Sequence, residues 1–397
     1  MIEITGNIAS PIGYTADGIH SGIKKKNLDL GWIVSEIPAS VAYVQTTNKV
    51  KAAPLILNNE TIQANGKVQA IIVNSGIANA CTGSQGMEDA VSMQQLTANA
   101  LNINQNLVTV ASTGVIGKHL PMDIIDNGIR RLNKNGNAHH FAKAILTTDL
   151  TTKTCVVTET IHQQKITMAG VAKGSGMIHP NMATMLAFIT CDANISTETL
   201  QLALQTNVNK TFNQITIDGD TSTNDLVLVL SNGLARNQEI LPNTEEYITF
   251  CNMLEHVMRN LAMKIAKDGE GATKLIEVKV MGMPTETSAR MIAKTVVGSS
   301  LVKSAIFGED PNWGRILAAI GYTETNFDVT NIDIAIEDIL VMTHSTPEAF
   351  DKQQMQHLLK KDHIKISINM HQGNQNGTAW GCDLTYDYVK INALYTT

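Results

Sequence analysis

The stretch Lys173 to Asp192 reads KGSGMIHPNMATMLAFITCD, and its residue types could do covalent chemistry. A glycine-rich turn, Pro180 and the small Ala183 precede Thr184, and the apolar run MLAFI after it has strand character. A threonine at the leading edge of a strand becomes a nucleophile if the peptide bond before it is cut. The freed α-amine, with a pKa of about 8, then acts as general base on its own residue's hydroxyl, so no distant histidine is required. The cut can itself be chemical. The Thr184 hydroxyl adds to the Ala183 carbonyl, the C–N bond gives way to an ester, and water hydrolyses the ester. Gly174, Gly176 and Pro180 could hold the backbone under strain for that step, and Ala183 leaves the carbonyl open. The bland reading is that Thr184 only begins a strand, and on spacing alone it is the commoner case. GSG is no phosphate loop, because His179 stands where a third glycine would be and no GxxxxGK[ST] occurs.

Other chemistry-bearing residues give weaker local signals. Glu270 lies between two glycines, as a positioned side chain in a tight turn would, although Lys173 and Glu270 as residue types are usually solvated. The eleven histidines show no HExxH or similar spacing, so no metal is expected; His139-His140 reads as surface. His179 is not assigned as a base, since the terminal amine suffices.

These residues need elements to carry them. Gln69–Val73 (QAIIV) reads as a buried strand running into the turn-rich NSG, and Met87–Leu101 as a helix with Ala90, Met93, Leu96 and Ala100 on one face. Leu107–Ala111 is a second strand, leading into a glycine-containing turn, STGVIG, and Leu226–Leu230 (LVLVL) a third. Tyr247, Phe250, Leu254, Val257, Leu261 and Ile265 mark a long helix ending near Asp268-Gly269. Ile332–Ile336 and Ile364–Ile368 alternate like half-buried strands, and HQGNQNG reads as a hairpin connection. Helices and strands alternate, which predicts an α/β class. The 397 residues, 43% hydrophobic, allow two or three domains, or one large one. A net charge of −6 and 4% aromatic residues argue against nucleic acid. No apolar run approaches the roughly 18 residues of a membrane span, and MIEITGNIASPIGYT carries no signal-peptide pattern. Five scattered cysteines without a CxxC pair fit a reducing compartment, so a cytoplasmic enzyme is expected.

KGSGMIHPNMATML closely resembles the self-cleavage motif of the ornithine acetyltransferase family. NSGIANACTG (74–83), Thr113-Gly114, TTD (147–149), KDGEGATK (267–274), SSLVKSAIFGEDPNWGRILAAIGY (299–322) and the terminal YVKINALYTT resemble further family signatures, in order along nearly the whole chain. So do GIKKKNLDL and TTNKVKAAP near the start. The chain departs from the pattern at Ile77, where the family usually has Asn.

The resemblance implies an α/β, self-cleaving enzyme of N-terminal-nucleophile type with a layered sheet-helix core. It implies cleavage between Ala183 and Thr184 into chains 1–183 and 184–397, and an acetyl ester on Thr184. The acetyl group would pass from N-acetylornithine to glutamate in arginine biosynthesis. Thr113 and Gly114 would be oxyanion donors, and Thr147, Lys173, Thr184, Glu270, Asn392 and Thr397 would bind substrate, with Thr148 one register away from Thr147. An ordered C-terminus follows from the role of Thr397. No cofactor is implied; acetyl-coenzyme A as a second donor is left open by the residue pattern. Two α and two β chains would form a heterotetramer. GEDPNWGR (308–315) receives no role, and its Asp310, Asn312 and Arg315 are read as structural. The readings weighed against this are a self-processing aminopeptidase, with water as acceptor, and a metabolite-binding protein without turnover.

Overall fold

The computed structural model describes residues 1–179 and 185–394. The strands, in chain order, are β1 Ile2–Glu3, β2 Tyr14–Ile19, β3 Leu30–Gln45, β4 Lys67–Ile77, β5 Val108–Val115, β6 Lys153–Ile161, β7 Gln164–Lys173, β8 Leu186–Cys191, β9 Ile215–Thr216, β10 Leu226–Ser231, β11 Leu275–Met283, β12 Asp333–Ile336, β13 Ile339–Thr343, β14 Thr346–Pro347, β15 His363–Asn369 and β16 Gln375–Cys382. The chain divides into two compact units: Met1–Gly174 with Asn181–Asn209 and Thr221–Leu261, and Ser175–Pro180 with Lys210–Asp220 and Ala262–Thr397. The chain is α/β, each unit built as a sheet with helices.

The first unit holds a sheet in the order β1-β6-β7-β8-β10-β3-β4-β5, with β2 paired to β3. The QAIIV run is apolar throughout because β4 is buried on both faces. Ile71 and Val73 join one core cluster, and Ala70 and Ile72 join the other. The helix Gly83–Leu101 buries Ala90 and Met93 as expected, but Ala100 is exposed; Gln94, Thr97 and Ala98 complete the buried face. Gln94 can be buried there because its amide donates to the Thr61 hydroxyl and the Val108 carbonyl. The Glu245–Lys267 helix ends within two residues of the expected stop, and its Val257 and Leu261 lie over Gly170 of β7.

The second unit holds the sheet β14-β13-β12-β15-β11-β16-β9. Ile276, Val278 and Val280 of β11 share one core with Ala289, Ile292 and Val296 of the helix Glu286–Gly298. HQGNQNG does not close a hairpin. β11 lies between β15 and β16, pairing parallel with the first and antiparallel with the second. A Gly/Asn-rich loop sets a reversal of direction but leaves open whether another strand inserts between its two flanks.

Candidate active site

β7 ends at Lys173 and β8 begins at Leu186, antiparallel neighbours whose pairing closes on Lys173 and Leu186. The stretch joining them contains the motif in which the sequence suggested a nucleophile. Ala183 and Thr184 themselves lie outside the described residues. Lys173 is only 8% exposed, which overturns the solvated expectation for that residue type, and its ammonium donates to the Thr113 hydroxyl at 3.4 Å.

A buried carboxylate stands beside it. Asp149 Oδ1 accepts from the Lys153 ammonium at 2.6 Å and from the Gly174 N–H at 2.7 Å, while Oδ2 accepts from the Thr147 N–H at 3.0 Å. Burial alone would raise this carboxyl. Lys173 and Lys153, with the hydrogen bonds from Lys153 and Gly174, outweigh burial and hold it at about 2. Asp149 is therefore an anion that fixes the Thr147 loop and the start of the glycine-rich turn together. Lys24 donates to the Leu146 and Leu28 carbonyls; burial and the nearby Lys173 bring its ammonium down to about 8, against the pull of Asp29 and Asp149.

Thr113 and Gly114 lie inside β5, paired in parallel with β4, where a plain turn was the alternative. The register breaks at this point, Ile77 facing both Thr113 and Val115. Gly114 has φ +132°, and a Cβ there would meet the Gly76 carbonyl carbon at 2.2 Å, so only glycine fits. At position 77 the backbone carbonyl makes the local bond, accepting from Asn74 Nδ2 at 2.9 Å, while the Ile77 side chain packs on the core.

In the second unit, Glu270 is 7% exposed, again against the solvated expectation. Its N–H donates to the Ser175 carbonyl at 2.9 Å, and Asn392 Nδ2 donates to its carboxylate at 2.8 Å. A Cβ on Gly176 would sit about 2.4 Å from that carboxylate, which explains the second glycine of GSG. The structure thus joins Glu270 to Asn392, two residues 122 positions apart. Thr397 lies outside the described residues. His179 hydrogen-bonds Thr216 Oγ1 through Nδ1 at 2.9 Å; burial and Lys294 lower it to about 4 against the opposing effect of Asp218, so it is neutral at pH 7.

GEDPNWGR is a helix start: Asn312 accepts from the Arg315 N–H, and Arg315 donates to the Leu301 carbonyl at 2.9 Å. The structural reading of these residues fits, though as a partly exposed cap and not as a buried network. Glu3, Cys155 and His256 of the first unit come within 4.8 Å of one another, which no sequence spacing could show. The Glu3–His256 contact, at 3.1 Å, has the geometry of an ion pair.

The family model that matches this sequence is that of the ArgJ family, over residues 15–397. The chain belongs to the ArgJ family. It is 63% identical over 397 residues to the arginine biosynthesis bifunctional protein ArgJ of Streptococcus thermophilus, covering all of both chains. A crystal structure of arginine biosynthesis bifunctional protein ArgJ from Bacillus halodurans matches with 52% identity and a TM-score of 0.52, over 53% of this chain and 99% of that one. The structure of ornithine acetyltransferase complexed with ornithine from Mycobacterium tuberculosis matches with 36% identity and a TM-score of 0.42, over 45% of this chain and 96% of that one.

Sequence reasoning overlooked three residues around the ArgJ motifs. Asp149 and Lys24 sit inside quoted stretches, TTD and GIKKKNLDL, but neither was singled out. Asp225 precedes LVLVL; it is buried, one carboxylate oxygen has no partner among the described residues, and burial raises its pKa well above the ordinary value despite Ser222 and Lys173. The signal for Asp225 was a charged residue bordering an apolar strand; for Asp149 and Lys24 the quoted motifs themselves were the only signal.

Proposed function

We propose that Thr184 carries the acetyl group through the reaction, after self-cleavage between Ala183 and Thr184. The chain is an acetyltransferase enzyme of arginine biosynthesis, moving acetyl from N-acetylornithine to glutamate. In the proposed mechanism the Thr184 α-amine takes the hydroxyl proton as Oγ attacks the acetyl carbonyl. Ornithine leaves with that proton on its amine, and the glutamate amine then attacks the acetyl ester to release N-acetylglutamate. Thr113 Oγ1 and the Gly114 N–H receive the oxyanion of each tetrahedral intermediate. Thr147, Lys173, Thr184, Glu270, Asn392 and Thr397 bind the substrates, Lys173 taking a carboxylate and Glu270 an ammonium group.

The observation that carries this reading is the buried Lys173 ammonium 3.4 Å from the Thr113 hydroxyl, at the end of the strand that runs into the Thr184 motif. Asp149 stands beside this ammonium and offsets part of the cost of burying a cation.

The exchange needs no cofactor, because the acetyl group resides on the enzyme between substrates. The relatives' name, bifunctional, gives the reason to assay acetyl-coenzyme A as a second donor to glutamate. The two fragments associate, with two of each forming a heterotetramer, and the enzyme works in the cytoplasm; among the described residues no helix is long and apolar enough to cross a membrane. Steady-state kinetics with both substrates varied test the reading. Parallel double-reciprocal lines are expected, and intersecting lines would exclude an acetyl-enzyme.

A further inference from the structure

We infer that Asn224 is a positioning residue that sets the Thr113–Gly114 pair for the oxyanion. This rests on the oxyanion reading of that pair and adds what holds it in place.

Asn224 lies in TSTND, the polar stretch before β10, and is 7% exposed. Its Nδ2 donates twice, to the Ser112 carbonyl at 2.8 Å and to the Ala78 carbonyl at 2.6 Å. Its Oδ1 accepts from the Thr223 hydroxyl at 2.6 Å. Every hydrogen-bonding group of the amide is used, and the flipped amide would set its oxygen against two carbonyl oxygens, so the orientation is forced.

The two carbonyls are informative. Ser112 C=O belongs to the same rigid peptide unit as the Thr113 N–H. A donor that grips this oxygen fixes the peptide plane that enters Thr113, one residue before the Gly114 N–H. Ala78 follows the exit of β4, and its own N–H donates to the Val115 carbonyl at 3.0 Å. The β4–β5 register is broken between these points. Thr113 and Gly114 pair with Ser75 and Gly76 as the last regular step before the register shifts at Ile77, so a fastener from outside the ladder holds the pair at its edge. Asn224, on the stretch leading into β10, reaches both sides of the break. Asn74 assists from below: its Oδ1 accepts from the Ser112 hydroxyl at 2.6 Å and its Nδ2 donates to the Ile77 carbonyl. None of these residues reaches a substrate through this network; they act through Thr113 and Gly114.

The same strand provides a control. Asn58 is fully buried and binds β5 two residues upstream, its Nδ2 donating to the Val110 carbonyl at 2.7 Å and its Oδ1 accepting from the Val110 N–H at 2.9 Å. Asn58→Ala thus removes a comparable anchor of β5 without touching the break in register.

The experiment compares Asn224→Ala, Asn58→Ala, Thr113→Ala and Thr223→Val, with kcat and KM for acetylornithine expressed per cleaved chain as counted by intact mass, and a melting curve for each. Asn224→Ala should lower kcat about 10- to 100-fold, short of the 10²–10³ for losing an oxyanion donor outright, with KM changed less than about threefold. Asn58→Ala should melt lower yet keep its kcat. Thr223→Val, which frees only the amide oxygen, should fall in kcat by less than Asn224→Ala, and it carries the test if Asn224→Ala does not fold. Equal kcat losses in the Asn224 and Asn58 variants would overturn the inference, as would a Thr223→Val or Asn224→Ala enzyme with unchanged kcat. Thr113→Ala separates the two claims. If it alone keeps full kcat, the oxyanion reading fails; if it loses kcat while folded Asn224 variants do not, only the positioning role fails.

Discussion

Lys173, Asp149 and Lys153 form a buried, charged cluster, and the proposed reading has Lys173 also take a substrate carboxylate. Lys173→Met removes the cation meant for that carboxylate while keeping the side-chain volume. KM for acetylornithine should rise by about tenfold or more, the worth of a hydrogen bond to a charged group, with a smaller effect on kcat; initial rates against substrate concentration measure it. Glu270→Gln should raise KM similarly, since the amide can still hold Asn392 but no longer offers a charge to an ammonium group. Asp149 makes a different prediction. Its folded-state pKa of about 2 lies below the ordinary carboxylate value of about 3.9. The stabilisation it provides is complete above pH 4 and is lost as pH falls from about 4 to 2. Asp149→Asn removes the carboxylate charge that the Lys153 ammonium and the Gly174 N–H share and should cost about 3–5 kcal/mol at pH 7; the variant's unfolding midpoint should then change less than the parent's between pH 4 and pH 2. The motifs around Lys173 and Glu270 singled those two residues out in the sequence as substrate-binding candidates, whereas nothing there singled out Asp149. TTD reads as a turn, and only the fold brings its carboxylate to the end of β7.

At the scale of elements, the proposed oxyanion pair sits beside a break in a parallel ladder. Gly114→Ala would place a methyl within 2.6 Å of three backbone atoms at a φ of +132°, so β4 and β5 must separate. The variant should melt well below the parent and have no measurable transfer activity; a variant that melts like the parent would refute this account of the glycine. Continuous apolar runs revealed β4, β8 and β10, because a strand buried on both faces has no alternation to hide. The helix Glu245–Lys267 was legible from its three- and four-residue spacing. What stayed hidden was long-range. Nothing in HQGNQNG tells that β11 separates the strands on either side, and STGVIG looks like a turn until β4 is seen to pair with it. Ala100 fell on the predicted helix face but outside the buried one, since a small apolar residue tolerates water as readily as Gln94 tolerates burial once its amide is satisfied.

For the whole molecule, the proposed cut and the compact units follow different lines. Residues 1–183 supply β1 to β7, and residues 184–397 supply β8 and β10, which sit in the middle of the first sheet between β7 and β3. Cleavage between Ala183 and Thr184 therefore falls on the connection between two antiparallel neighbours and leaves the sheet's hydrogen bonds in place. The fragments should elute together in gel filtration under native conditions and separate only in denaturant; separation in native buffer would contradict this. The sequence motifs suggested where the cut would fall, but the compatibility of such a cut with an intact sheet is a property of strand order, which periodicity does not report. The central claim is that Thr184 carries the acetyl group. The direct measurement is intact mass of the purified protein and its Thr184→Ala variant, before and after incubation with N-acetylornithine alone, and again after glutamate is added. The account predicts two fragments divided between Ala183 and Thr184 in the parent and one uncut chain in the variant. The second fragment should gain the mass of one acetyl group, located on Thr184 by peptide mapping, and lose it to glutamate. An uncut parent chain that transfers acetyl, or an acetyl group found on any other residue, would contradict it.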